Sequence, residues 1–230
     1  MGFDYVSDSE SPPLLQGVDL GISNDARIGI VGRNGIGKST LLKLITRELE
    51  PMMGTISLQS NLQIGFFNQH HADSLDLNVS ALQYFMKMYP KEREDNLRGF
   101  LGRFHVSGDL AIKPMRFLSG GQKSRVSFAA LSFQRPHLIL LDEPTNHLDT
   151  SSIESLLDAL NSFAGAVVVV SHDQYFISQL CNEIWVVKEG EEEVGGVVER
   201  FLGSFDEYKD QIVRKTRKRI QSNLTKLRDS

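Results

Sequence analysis

An α/β fold with a mixed sheet, an N-terminal antiparallel β portion and an inserted helical subdomain is predicted by three features of this 230-residue chain. Gly32–Thr40 reads GRNGIGKST and stands between a short β-branched run and a stretch of helical spacing. His137–Leu141 and Ala166–Ser171 are continuous apolar runs on either side of an amphipathic Thr150–Phe163. Strands buried on both faces of a parallel sheet have that texture, and a helix between them makes a βαβ unit. His70–Phe117 is the third feature, with no convincing long strand and many polar helix formers, and it opens a helical insert over about 70–133.

The elements follow in order. Phe3–Ile22 reads as two strands around the polar, proline-bearing loop Ser7–Pro13. Arg27–Val31 is a strand that leads into the glycines. Lys38–Leu49 carries Leu41, Leu42, Leu44 and Ile45 at helical spacing, and Pro51 and Gly54 break it. Thr55–Leu58 and Gln63–Phe67 alternate as half-buried strands. Helices are predicted over Val79–Tyr89, Glu92–Phe104 and Gly120–Phe133. Glu183–Lys188 and Val194–Phe201 close the sheet. A single domain over 1–208 and a basic helical tail over 209–230 result.

Composition bounds the possibilities. A 40% apolar share supports a packed core, and 23% charged residues keep it soluble. No apolar run approaches the ~20 residues that cross a bilayer, so no membrane insertion is expected. The N-terminus MGFDYVSDSE lacks the basic and apolar regions of a secretory signal. Cys181 is the only cysteine, which fits a reducing, cytoplasmic setting and a buried structural thiol. Net charge is -4, yet Arg214, Lys215, Arg217, Lys218, Arg219, Lys226 and Arg228 crowd the tail. That run fits either a solvated face or a nucleic-acid or ribosome contact.

Gly32–Ser39 has the form G-x-x-x-x-G-K-S after a strand and before a helix, the context that makes the pattern a phosphate cradle. Gly32, Asn34, Gly35, Ile36, Gly37, Lys38, Ser39 and Thr40 are its expected nucleotide-binding residues. Gly35 and Gly37 let backbone amides bend around phosphate oxygens, and the helix start adds partial positive charge. Lys38 reaches for the β- and γ-phosphates, and the Ser39 hydroxyl for Mg2+. Asp142 ends an apolar strand at its carboxyl edge, suited to the Mg2+ shell, and Glu143 beside it is suited to polarising a water. His172, after Ala166–Val170, can donate to a γ-phosphate oxygen. Gln69 can sense Mg2+ and the attacking water, or merely cap the insert. Tyr5 can stack on an adenine or pack in the core. His70 and His71 make a poor zinc pair, being adjacent and without cysteine or carboxylate company.

Ser119, Gly120 and Gly121 in LSGGQ start a helix, so they form a second anion site. One cradle already surrounds the phosphates. A second donor set makes sense if it caps nucleotide held by a facing copy.

Together these residues resemble the ATP-binding cassette superfamily, from Tyr5 to about Tyr208, with a P-loop NTPase core. The resemblance implies ATP and Mg2+ as ligands, Gly32–Thr40 as Walker A and Gln69 as the Q-loop. It further implies Leu118–Gln122 as the signature that touches nucleotide in trans through Ser119 and Gly121, Leu138–Glu143 as Walker B and His172 as the switch histidine. Asp149 would then belong to a loop that contacts the opposite cassette. EPTNHLD at Glu143–Asp149 and FLGSFDEYKDQ at Phe201–Gln211 resemble the soluble ABC-F proteins. Membrane transporters commonly carry a serine-alanine pair where Asn146 and His147 stand. VGRNGIGKSTLLKLI is similar to the second cassette of the eukaryotic branch that includes general-control translation regulators. Such proteins carry two cassettes joined by a helical linker, whereas this chain holds one, so a partner cassette is expected. The resemblance implies ATP-driven closure coupled to the ribosome or to translation control. The alternative is the ATPase subunit of a membrane transporter.

Overall fold

The computed structural model describes residues 14–67, 75–146, 148–190, 196–214 and 217. Six strands form one sheet: β1 (Arg27–Gly32), β2 (Ile64–Phe67), β3 (Leu138–Asp142), β4 (Ala166–Val170), β5 (Glu183–Lys188) and β6 (Val197–Leu202). Their spatial order is β2-β3-β4-β1-β5-β6. Every neighbour pair is parallel except β5 with β6, so the sheet is mixed.

Both faces of the sheet are covered. Ile28, Ile30, Leu138, Leu140, Val168 and Trp185 pack with helix α1 (Lys38–Ile45). Ile139, Leu141, Val167, Val169 and Ile184 point the other way, toward the second core. That core includes α5 (Gly120–Phe133), α6 (Thr150–Asn161) and α7 (Gln174–Leu180). The period of two along each strand divides the residues between these cores. Arg27 joins the layers: its guanidinium donates to the carbonyl of Gly165 at 2.7 Å, fixing the turn between α6 and β4.

The insert contains α2 (Ala81–Met88), α3 (Glu94–Arg103) and the single turn α4 (Asp109–Ile112). It shares the core of α5 through aromatic packing, with Phe85 and Phe100 at 5.8 and 4.8 Å from Phe133 between ring centroids. Pairing also holds the approach to the serine-glycine turn. Met115 N–H donates to Val79 and Arg116 N–H to Leu77, at 3.0 and 2.9 Å.

The helices over Gly120–Phe133 and the strand over Glu183–Lys188 have the predicted bounds. Three expectations are corrected. Thr55–Leu58 forms no strand. Its alternation finds no ladder, and the Arg47 guanidinium takes the Ile56 carbonyl at 3.0 Å. Helix α1 ends at Ile45 rather than Leu49, because Arg47 enters the left-handed region at φ 59°. Of the expected N-terminal strand pair, residues 3–13 lie outside the described residues, and residues 14–22, where the second strand was expected, form no strand. Within them, Leu15 makes a parallel bridge to Gly196. Helix also covers residues 205–214, begun by a capping box between Ser204 and Glu207. No helix among the described residues is long and apolar enough to cross a membrane.

Candidate functional site

Three neighbouring strand ends build the site. β3, β4 and β1 lie side by side, so the loops that leave their carboxyl ends converge. β1 ends at Gly32 and β3 at Asp142, which pairs in register with Val170, the last residue of β4. A cleft of about 420 Å³ opens between these loops. Asn34, Gly35, Gly37, Lys38, Ser39 and Thr40 form one wall; Asp142, Glu143, Asn146 and His172 form the other.

The glycine wall owes its shape to backbone that other residues resist. Gly35 has φ 78° and Gly37 φ 108°, the latter capping α1 with no side chain over the helix start. The first amides of α1 therefore face the cleft end of the helix without a protein cap, as anion binding requires. Gly32 serves a different need. A Cβ there would lie 2.4 Å from the Val187 carbonyl oxygen, so it permits close packing of β1 on β5. Ile36 packs against the core instead of lining the cleft.

Lys38 is 7% exposed, and its Nζ donates to the carbonyls of Gly32 and Arg33, both at 2.9 Å. Burial pulls its pKa down, while Glu143 and Asp142 push the other way. The ammonium is thus held at the cradle by carbonyls, in the mouth where phosphate oxygens would take over its protons. Ser39 and Asp142 offer oxygen donors to the same cleft, a set that fits a hard cation such as Mg2+.

Glu143 occupies a bend. Its φ is 50°, and its N–H donates to the Val170 carbonyl at 2.8 Å. That turn swings the carboxylate toward His172, whose Nε2 stands 3.4 Å from Oε1. The His172 N–H donates to Oε2 at 3.4 Å. Burial raises the Glu143 pKa above the ordinary carboxyl value, and His172 opposes that rise. A carboxylate with raised proton affinity is a better base. Behind it, the Thr145 and Ser171 hydroxyls meet at 3.2 Å and the Asp173 N–H donates to Ser171. These bonds join the loops after β3 and β4.

The serine-glycine turn does not line this cleft. Ser119 caps α5 in a capping box: its Oγ accepts from Gln122 N–H, and its N–H donates to the Gln122 side chain. The Ser119 hydroxyl proton and the first α5 amides are the donors left to offer. Ser119 and Gly120 are exposed, whereas Gly121 is buried. Tyr5 and Gln69, proposed for the base and for Mg2+, lie outside the described residues, as does His147. Asn146 lines the cleft although the sequence reading used it only to separate subfamilies. Its signal was its place three residues beyond Glu143 in the same turn, whose carbonyl accepts from Asn146 N–H at 3.3 Å.

Residues 15–146 match the ABC transporter family. Protein GCN20 of Saccharomyces cerevisiae is 45% identical over 204 residues, 89% of this chain and 26% of that protein. ATP-binding cassette sub-family F member 3 of Homo sapiens is 46% identical over 215 residues, 86% of this chain and 30% of that protein. The chain thus spans less than a third of the curated relatives it matches. Among solved structures, the ADP- and Pi-bound dimer of the ATP-binding cassette MJ0796 superposes with a TM-score of 0.64 at 26% identity. The match covers 87% of this chain and 95% of that one.

Proposed function

This chain belongs to the ATP-binding cassette family, with ABC-F proteins among its relatives, and we propose that it hydrolyses ATP in a site completed by a second cassette, coupling closure of the pair to ribosome binding. The chain is an ATPase of the cassette type. The finer reading rests on one observation: the exposed Ser119–Gly120 turn stands outside the cleft that gathers Lys38, Asp142, Glu143 and His172. A donor set turned to solvent is useful to nucleotide carried by a facing partner. The MJ0796 cassette, solved as a dimer, is a precedent.

In this mechanism the triphosphate lies along Gly35–Thr40, and Lys38 exchanges its two carbonyls for phosphate oxygens. Mg2+, held by Ser39 and Asp142, would neutralise charge on the transferring phosphoryl group. Glu143 accepts a proton from the attacking water, and His172 donates toward the γ-phosphate. Only the triphosphate form gives the closed pair its extra affinity, so hydrolysis reopens it. The ribosome assignment is supported by Glu143–Asp149, EPTNHLD, and by the basic tail from Lys209.

Co-sedimentation tests the assignment. Glu143→Gln protein should pellet with ribosomes in ATP and much less in ADP, by at least fivefold. Equal recovery in both nucleotides refutes ATP-coupled ribosome binding. ATP-dependent doubling of mass in light scattering tests the pairing separately.

A further inference from the structure

Two consecutive glycines of the serine-glycine turn meet different surroundings. A Cβ on Gly120 would meet nothing within 4 Å. A Cβ on Gly121 would lie 2.3 Å from Ser152 Oγ and 3.1 Å from Ser152 Cβ, with Asp149 Oδ1 next at 3.8 Å. Ser152 is fully buried, in the first turn of α6. Its backbone N–H donates to Asp149 Oδ1 at 2.8 Å, and Ser151 Oγ donates to the same oxygen at 3.1 Å. These serine hydrogen bonds hold the Asp149 carboxyl below its ordinary pKa, so it stays an ionised helix cap.

Asp149 is six residues beyond Glu143. Among the described residues between them, Leu148 N–H donates to the Thr145 carbonyl, and the Thr145 hydroxyl meets Ser171 beside His172. Bonds at Thr145, Leu148 and Asp149 therefore stand between the hydrolytic end of the cleft and Ser152, which lies against Gly121. Ser152 Oγ is the nearest atom to the position that a Gly121 side chain would need.

We propose that Ser152 is a positioning residue that couples the cleft of this chain to its own serine-glycine turn. Its hydroxymethyl group fills the notch over Gly121, so a shift of the Glu143–Asp149 segment moves the turn with it. The state of one nucleotide is thereby passed, within one chain, to the surface that would cap the other. This deepens the paired-cassette reading and rests on it for its purpose, while the coupling itself is a property of a single chain.

Amide hydrogen exchange on monomeric chain tests this at concentrations where light scattering shows no dimer. The parent is Glu143→Gln, which stalls hydrolysis. Exchange at Leu118–Lys123 should differ between Mg-ATP and Mg-ADP by threefold or more. Gly121→Ala, which collides with Ser152, should cut that difference to less than a third. Adding Ser152→Gly removes the colliding atoms and should restore the difference. Ser152→Gly alone, which introduces no clash and keeps the chain testable should Gly121→Ala not fold, should also lose the difference. A parent with no ATP–ADP difference at the turn overturns the coupling. So does an unaltered difference in Gly121→Ala or Ser152→Gly, or no recovery in the double variant. Intact coupling in a chain that never dimerises in ATP sinks the pairing and spares this inference; a dimer without coupling does the reverse.

Discussion

Glu143 holds three tensions at once. Its backbone is left-handed, its carboxyl is largely buried, and its proton affinity is raised. Because burial lifts the folded-state pKa, the folded chain binds that proton more tightly than the unfolded chain does. The contribution to stability is complete below the usual glutamate value of ~4.3 and is lost as pH rises through the folded value. Glu143→Gln removes the loss. Its unfolding midpoint should exceed the parent's by roughly 2 °C at pH 7.5, a typical gain where a functional group is neutralised. The gap should close near pH 4. A gap independent of pH would show that desolvation of the carboxylate is not its origin. Lys38 carries the complementary effect, since burial lowers its pKa. Lys38→Ala should weaken ATP binding at least tenfold, as read by fluorescence titration, by removing the charge that meets the terminal phosphates.

At the scale of elements, β1 and β5 approach closely where Gly32 passes the Val187 carbonyl. Gly32→Ala must move backbone, so it should cost about 3 kcal/mol in urea unfolding, the upper end of overpacking. A loss below about 1 kcal/mol would mean that β5 yields easily. This role could not be read from the chain: Gly32 opens the phosphate pattern, and nothing local reports that Val187 sits beside it. Local signals did carry much of the rest. The apolar runs ending in Asp142 and Val170 located β3 and β4, because a strand buried on both faces needs no alternation. Ser119–Gly121 marked the start of α5, where the structure adds a capping box with Gln122. Thr55–Leu58 misled because period-two spacing says nothing about whether a neighbouring strand exists. Helix α7 is not legible in the sequence, although Asp173 caps it through Phe176 N–H at 3.0 Å. Its seven residues are too few to display a period. The contact between Gly121 and Ser152 spans 31 positions and was likewise illegible.

For the whole molecule, the separation of cleft and serine-glycine turn has a kinetic consequence. If each cassette completes its partner's site, phosphate release per chain must rise with protein concentration and level off once pairs form. The rate should climb at least threefold across the range in which light scattering detects dimer. A flat rate would mean that one chain suffices. The mixed sheet gives this arrangement a stiff platform: β3, β4 and β1 are interior strands, so Asp142, His172 and the glycine wall are referred to one frame.

The bend at Glu143 also sets durability against turnover at a single codon. Glycine would rest comfortably in that backbone conformation, yet it carries no carboxylate for the proton transfer proposed above. A change toward greater thermal robustness therefore has an easy route at this position, one that would remove the proposed base, so a glutamate there works against the grain of the fold.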